Sequence, residues 1–579
     1  LVYGLLAGLG MGIFFAVDQA LNLEVLPNPQ TAAKDLGILN LANTGSQIIG
    51  PIVAASIVTA THGSYFGIFP VCAGLALVGG IMILFVNEHR DVKIHAETAK
   101  KHQISNNSVA EVNGPCGLSN DQTSICKGKN QIEVKLFMSA TQIESTQDSK
   151  LVKSELSTTT EKLHNNLEVG TEKRQEIWGF GQTFNELGWQ ALQNLSEEKR
   201  NEILDDLFKP GEGENYRICR IPVGASDYAI NWYSCDETPD DYDLKDFSIA
   251  RDKKYLIPYI KAAQKRNPDI VFSASPWSPP TWMKTKAVYN YGIVKHDPKI
   301  QQAYANYFVK FIKAYEAEGI HISQLFPQNE PQRDQPFPSC YWTGEELRDF
   351  IKNYLGPTFE KEGLNTDIWL GTINSPLEDT EMTKDETTDY PVITETVLSD
   401  PDAYKYVKGV TYQWAGKSVL QRTVQSFPEL HYFQSESECG NGKNTWTYGE
   451  YVFNLFRHYI SNGVNAYMYW NSVLQDGEST WGWLQNSMIS VDSKTGEATY
   501  NPEYYVMKHY AHYVKPGAHL LSYGGHAAGE ATAYENPDGS VVVVMSNSMN
   551  HDRDITIDVK GKTYKAHVKA HSFSTFVFD

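Results

Sequence analysis

Between about residue 177 and residue 513 the chain alternates short apolar runs with amphipathic stretches, and this alternation limits the fold more than any other feature. The runs RICRIPV, DIVFSASPW, ISQLFPQNEP, DIWLGTIN, VKGVTYQW, LHYFQSESE and VNAYMYWN have the length and the β-branched or aromatic content of buried strands. Between them lie segments such as IQQAYANYFVKFIKAYEAEG, whose apolar residues recur at three and four positions. Strands separated by helices run parallel, because each helix carries the chain back to the starting edge. Seven or eight such units over about 335 residues predict an α/β fold of the (β/α)8 barrel type.

The flanks are different. From Lys515 the runs GSVVVVMSN, ITIDVKG, YKAHVKA and FSTFVFD, with Asp-Gly and Gly turns between them, predict antiparallel strands. Residues 132–176 hold similar short runs, IEVKLFM and KLHNNLEVG. A short sheet standing alone would leave unpaired edges, so the strands before the barrel are expected to complete a β-sandwich with those after it. The predicted division is 132–176 for the first sandwich strands, 177–513 for the barrel and 514–579 for the rest of the sandwich.

Residues 36–87 contain no Asp, Glu, Lys or Arg, and Phe66–Val86 is a 21-residue uncharged run. About 20 apolar residues suffice for a helix to cross a bilayer. With Leu1–Val17 and Leu36–Ala60 this predicts three transmembrane helices within residues 1–92, followed by a polar linker over 93–131. Arg90, Lys93, Lys100 and Lys101 after the last span put that end in the cytoplasm. The start at Leu1 is read as a missing beginning. The pieces AVDQAL, EVLPNP and AKDLGILN resemble the closing part of major facilitator superfamily sugar transporters, which implies the last three of a dozen helices. Asp18 is read either as part of a transport pathway or as wetted by headgroups at a helix end. Three helices cannot form the two-halved cavity that transport requires.

Composition excludes two further classes. The formal net charge is −19, from 50 basic and 69 acidic residues, which argues against a nucleic-acid partner. Seven cysteines without tight spacing make neither a disulfide scaffold nor a zinc ribbon.

In a barrel of this type functional groups lie just past the C-terminal ends of strands. After ISQLFPQ come Asn329, Glu330 and Pro331; LHYFQS leads into Glu436, Ser437 and Glu438; Trp277, Trp414 and Trp470 end three other runs. Two carboxyls among aromatics suit glycoside cleavage, where one group donates a proton to the leaving oxygen and the other attacks or activates water. Glu436 and Glu438 fall on the same side of a strand, and spacing alone leaves the choice between them open. Trp282 reads as a core aromatic. Arg220, inside RICRIPV, is expected to pair with a buried carboxylate and orient it.

The motifs GFGQTFNE, RIPVGASDY, ETPDDYDLKDFSI, ASPWSPPTWMK, FVKFIKAYEAEGI, NEP, YFQSESECG and YWNSVL resemble the glucosylceramidase-like glycoside hydrolases of family 30. The resemblance runs from about residue 135 to the C-terminus, with its motifs from Gly179 onward. It implies a retaining enzyme of clan A, a barrel with an attached β-sandwich, acting on β-glucosides (oligosaccharide or glycolipid) without a cofactor or metal. Glu330 matches the acid/base, and Glu436, aligned by F-x-S-E, matches the nucleophile in preference to Glu438. Trp277, Asn329, Trp470 and Asn486 match sugar-contacting positions, and Arg220 the buried arginine. Asn185 stands where lysosomal glucosylceramidases have an Asp that binds glucose hydroxyls, and Gln413-Trp414-Ala415 replaces their His-Trp-Tyr, so both departures reshape the sugar site. Glucosylceramide, β-glucosides and β-1,6-glucan are the expected substrates.

The competing function is a sugar transporter with a fused cytoplasmic carbohydrate-binding domain, against which the three-helix count speaks. The join itself reads as a run-on of neighbouring transporter and hydrolase sequences, the alternative being a membrane tether. In either case the hydrolase is expected in the cytoplasm, attached to the membrane through residues 1–87 only if the tether is real.

Overall fold

The computed structural model describes residues 139–374, 393–438, 440–477 and 479–579. The chain divides into two units, residues 1–131 and 132–579. The expected spans and linker, and the run IEVKLFM, lie outside the described residues. Among those described, no helix is long and apolar enough to cross a membrane.

Eight parallel strands make the central sheet: β1 (Gly179–Gln182), β2 (Ile218–Val223), β3 (Val271–Pro276), β4 (Ile322–Leu325), β5 (Asp367–Ile373), β6 (Val407–Gln413), β7 (His431–Glu436) and β8 (Ala466–Tyr469). Each pairs with its sequence neighbour, and β8 pairs with β1. The circle closes between β1 and β2 through the Thr183–Arg220 bridge and the Phe184 N–H, which donates to the Arg220 carbonyl at 2.8 Å. The expected barrel is therefore present. Seven strands carry the runs named above; β1 does not, because its sequence GFGQ has no β-branched residue to mark it. Its glycine is needed for another reason: a Cβ on Gly181 would lie 1.8 Å from the Ile218 carbonyl oxygen.

The helices pack outside. That spanning Pro298–Ala317 begins where the Asp297 carboxylate accepts from the Lys299 and Ile300 N–H groups. It buries Ile300, Ala303, Tyr304, Tyr307, Phe308, Phe311, Ile312 and Tyr315, the three-and-four pattern read from the sequence. Each large apolar side chain so buried contributes about 1.5–3 kcal/mol. Inside the barrel Ile218, Phe326, Trp369, Phe433, Ala466 and Met468 form a separate apolar cluster.

The flanking strands join as the pattern implied. A ten-stranded sheet takes strands from both sides of the barrel. Ala140–Ser145 pairs antiparallel with Ser572–Phe578, and Asn166–Ile177 pairs antiparallel with Ala518–Gly524. Its own core includes Leu167, Val543, Ile557, Phe576 and Phe578. One element was not expected: after β8 a three-stranded sheet (Val473–Gln475, Ile489–Val491, Ala498–Tyr500) supports the loop that follows the last strand.

The close approach at Gly181 gives a direct test. Gly181→Ala should destabilise the fold by about 3 kcal/mol or more, since the clash is with backbone that cannot rotate away. A denaturation midpoint equal to that of the parent would contradict the closure of β1 on β2.

Candidate active site

At the C-terminal ends of the strands lies a cavity of about 390 Å³ whose wall includes Asp227, Trp277, Glu330, Trp414, Glu436 and Trp470. A larger groove, about 580 Å³, opens at the opposite ends of β5 and β6; its carboxyls Glu360 and Asp367 are exposed. Of these two, the first combines buried carboxyls with aromatic walls.

Its organising group is Arg220 on β2, which is fully buried. Nη1 donates to Glu436 Oε2 at 2.7 Å, Nη2 to Asn329 Oδ1 at 2.5 Å, and Nε to Ser275 Oγ at 2.8 Å. The guanidinium also lies over the Trp277 ring, 4.4 Å from its centroid. Glu436, the last residue of β7, receives a second bond from Gln413 Nε2 at 3.1 Å. Gln413 also donates to Asn329 Oδ1 at 2.8 Å, and Thr372 Oγ1 donates to the same oxygen at 3.1 Å. With Oδ1 so occupied, the Asn329 amide is fixed in orientation and its Nδ2 remains as a donor.

Glu330 follows β4 in the left-handed region, at φ 49°. Its N–H donates to the Thr372 carbonyl at 3.0 Å, and its own carbonyl accepts from Arg333 N–H at 2.9 Å, so the turn is held from both sides. The carboxyl receives Asn374 Nδ2 at 3.0 Å and Gln335 Nε2 at 3.2 Å. Both donors are neutral amides, whereas Glu436 has a guanidinium in contact.

That difference divides the charge. Burial pushes both carboxyls above the usual range, and the neighbouring Glu330 charge pushes Glu436 further, against the pull of Arg220. Asp227 is held well above its ordinary value by burial and then by the charges of Glu436 and Glu330. Arg220 thus faces three buried carboxyls, and the Arg333 charge acts on Glu330 as well. Direct pairing with a guanidinium favours the charged form of Glu436, and the neutral amides on Glu330 give it less of that support.

The structure brings together Trp277, Trp414, Trp470, Glu330 and Glu436 on the wall, with Arg220 and Asn329 behind them. Trp277 and Trp470 stack with ring centroids 5.3 Å apart. Asn185 and Asn486 are not on the wall. Asn185 caps the helix Glu186–Gln193, its Oδ1 accepting from Gly188 N–H at 2.7 Å while Nδ2 donates to Asn471. Asn486 donates to Glu503 at 2.6 Å and accepts from Asn444 N–H at 3.2 Å, which pins the loop after β7. Trp282 is a core residue, bonded through Nε1 to the Asp236 carbonyl at 3.1 Å. Glu438 reaches the wall, and Tyr451 Oη donates to it.

Sequence reading missed Asp227, Gln335, Asn374 and Trp481. Asp227 was within reach, because RIPVGASDY puts it four residues past β2, where barrel strands deliver their chemistry. It lines the cavity with a buried Oδ1 that has no partner. The others sit on long loops without a periodic signal. Among the described residues no group of three His, Cys, Asp or Glu side chains is placed to hold a metal ion.

Lys284 keeps one wall in place. It is buried, and its Nζ donates to Ser278 Oγ, the Tyr289 carbonyl and the Ser339 carbonyl at 3.1, 2.9 and 2.7 Å. It ties the turn after Trp277 to the loop that carries Gln335. Lys284→Met should cost about 2–3 kcal/mol by leaving those acceptors unpaired, read as a lower urea midpoint. An unchanged midpoint would contradict the role.

Comparison with known proteins agrees with this architecture. The glycosyl hydrolase family 30 TIM-barrel domain matches residues 177–514, and that family's β-sandwich domain residues 522–576. A Major Facilitator Superfamily match covers residues 1–139. The lysosomal acid glucosylceramidase of Mus musculus is 30% identical over 418 residues, 67% of this chain and 78% of that protein. An endo-1,6-β-D-glucanase of Neurospora crassa is 26% identical over 70% of this chain and 86% of its own length. The solved structure of an endo-β1,6-glucanase superimposes with a TM-score of 0.68 at 25% identity, covering 76% of this chain and 99% of that one. The barrel closed by β1, the sandwich built from both flanks and the extent of these matches together make the chain a member of glycosyl hydrolase family 30, a glycosidase.

Proposed function

We propose that this glycosidase cleaves β-glucosidic bonds with retention, with Glu436 as nucleophile and Glu330 as acid/base. The observation that carries the reading is the asymmetry of the two carboxyls: Glu436 is paired directly with Arg220, and Glu330 is hydrogen-bonded by the neutral amides of Asn374 and Gln335. Glycoside cleavage needs one carboxyl charged and the other protonated on the same bond, and in a retaining enzyme the charged one is the nucleophile. The similarity to glucosylceramidase and to β-1,6-glucanases supports a glucosyl unit at the bond cleaved.

In the first step a Glu436 oxygen attacks the anomeric carbon, and the bond to the leaving oxygen breaks as Glu330 delivers its proton there. The leaving alcohol departs neutral, and an ester joins Glu436 to the sugar. Loss of the Glu436 charge then lowers the pull on the Glu330 proton's site, leaving an ionised Glu330 to accept a proton from water. That water attacks the anomeric carbon and frees Glu436. Arg220 keeps the attacking carboxylate charged and aimed, Asn329 offers its Nδ2 to a sugar hydroxyl, and Asp227 accepts from others. Trp277 and Trp470 supply apolar faces for the ring.

Glu436→Gln should leave no measurable turnover of an aryl β-glucoside, and ordinary activity in that variant would reject the assignment. The pH dependence follows from the signs. Activity should fall on the acid side as Glu436 takes up a proton, a limb that burial also moves above the usual carboxyl range, and on the basic side as Glu330 loses its own. Because burial raises Glu330, the basic limb should lie above the usual carboxyl range. Glu330→Gln, assayed on a substrate whose leaving group needs no proton, should lose that basic limb; a limb left in place would assign it to another group.

A further inference from the structure

Beyond the groups that hold the cleaved sugar, the cavity continues into an aromatic rim that the mechanism does not use. Trp481 lies 5.0 Å from Phe337 and 5.3 Å from Trp483, measured between ring centroids. Trp483 and Leu484 are 49% and 48% exposed, unusual for side chains of that size. We infer that this rim is a leaving-group subsite that stacks a second hexopyranosyl ring of a β-linked glucan. The inference rests on the function proposed above and names the substrate on its far side.

Position comes first. Phe337 stands seven residues after Glu330 on the same loop, and Gln335 between them touches the Glu330 carboxyl. The group that protonates a leaving oxygen must face the leaving group, so the surface beside Glu330 is where that group lies. The rim is also built before anything binds. Trp483 N–H donates to Ser479 Oγ at 3.0 Å, Ser479 N–H to the Trp483 carbonyl at 3.0 Å, and Gln485 N–H to the Gly477 carbonyl at 2.9 Å. Thr480 Oγ1 donates to the Ala229 carbonyl at 3.1 Å, which ties the loop to the one that carries Asp227. A prearranged platform spares ligand binding the cost of ordering it.

Chemistry selects the occupant. Gln335, Gln485 and Glu438 interrupt the aromatic wall. A pair of alkyl chains would cover these polar groups and leave them without water or partners, which is unfavourable. A pyranose presents C–H faces to the indoles and hydroxyls to the amides and the carboxyl, and so satisfies both.

The test compares leaving groups. Wild type, Trp481→Ala and Trp483→Ala are assayed on β-glucosyl fluoride, whose leaving group is too small for the rim, on gluco-oligosaccharides of the cellobiose and gentiobiose series, and on glucosylceramide in detergent micelles. The loss of kcat/KM on the best oligosaccharide should exceed that on the fluoride by about tenfold or more, with Trp483→Tyr restoring most of it. Equal losses on both, or a wild-type preference for glucosylceramide, would overturn the inference. Calorimetric binding of the same oligosaccharides to Glu436→Gln, with and without Trp483→Ala, reads the platform apart from chemistry: about tenfold weaker binding supports it and equal binding rejects it. Failure of wild type to turn over the fluoride would count against the proposed function alone.

Discussion

A guanidinium with no access to water must be matched by acceptors on every side, and most of the upper barrel is arranged around that requirement at Arg220. Ser275 on β3, Asn329 after β4 and Glu436 at the end of β7 each give it an oxygen. These residues are far apart in sequence, and only a closed barrel brings them to one point. The contact of Arg220 with the Trp277 ring fills the remaining side. The positions of Glu436 and Asn329 are thus set by one charge that sits on the strand next to the closure of the barrel.

The same charge is outnumbered. Asp227, Glu330 and Glu436 are all buried around it, and burial disfavours ionisation of each. Arg220 compensates by direct contact the one carboxyl it touches, Glu436, and the Arg333 charge also acts on Glu330. Contact with the guanidinium gives like residues unlike surroundings. Gln413 contributes a neutral donor to Glu436 and so leaves the charge count unchanged. The barrel brings the two carboxyls to one cavity, and contact with Arg220 distinguishes Glu436 from Glu330.

Much of this was legible in the sequence because it is local. An apolar run followed by Asn-Glu-Pro, or by F-x-S-E, marks a strand end with a carboxyl at the barrel mouth. An arginine among apolar residues marks a buried partner. The alternation of strand and helix marks the barrel, and the flanking strands mark the sandwich. What stayed hidden depends on contacts between distant segments. Strand β1 is only GFGQ, and its place follows from how closely it meets Ile218, which no pattern in four residues can state. The helix cap made by Asn185 and the bond of Asn486 to Glu503 are likewise contacts that no local pattern states. The Trp481–Leu484 rim belongs to a long loop whose path is set by its own backbone bonds.

The central claim, that Glu436 carries the charge and forms the bond, is tested most directly by trapping the intermediate. Incubation with 2-deoxy-2-fluoro-β-glucosyl fluoride, followed by proteolysis and mass spectrometry, should find the fluorosugar on the peptide that contains Glu436 and localise it to that side chain. Label on Glu330 or Glu438, or inactivation with no covalent sugar, would contradict the account.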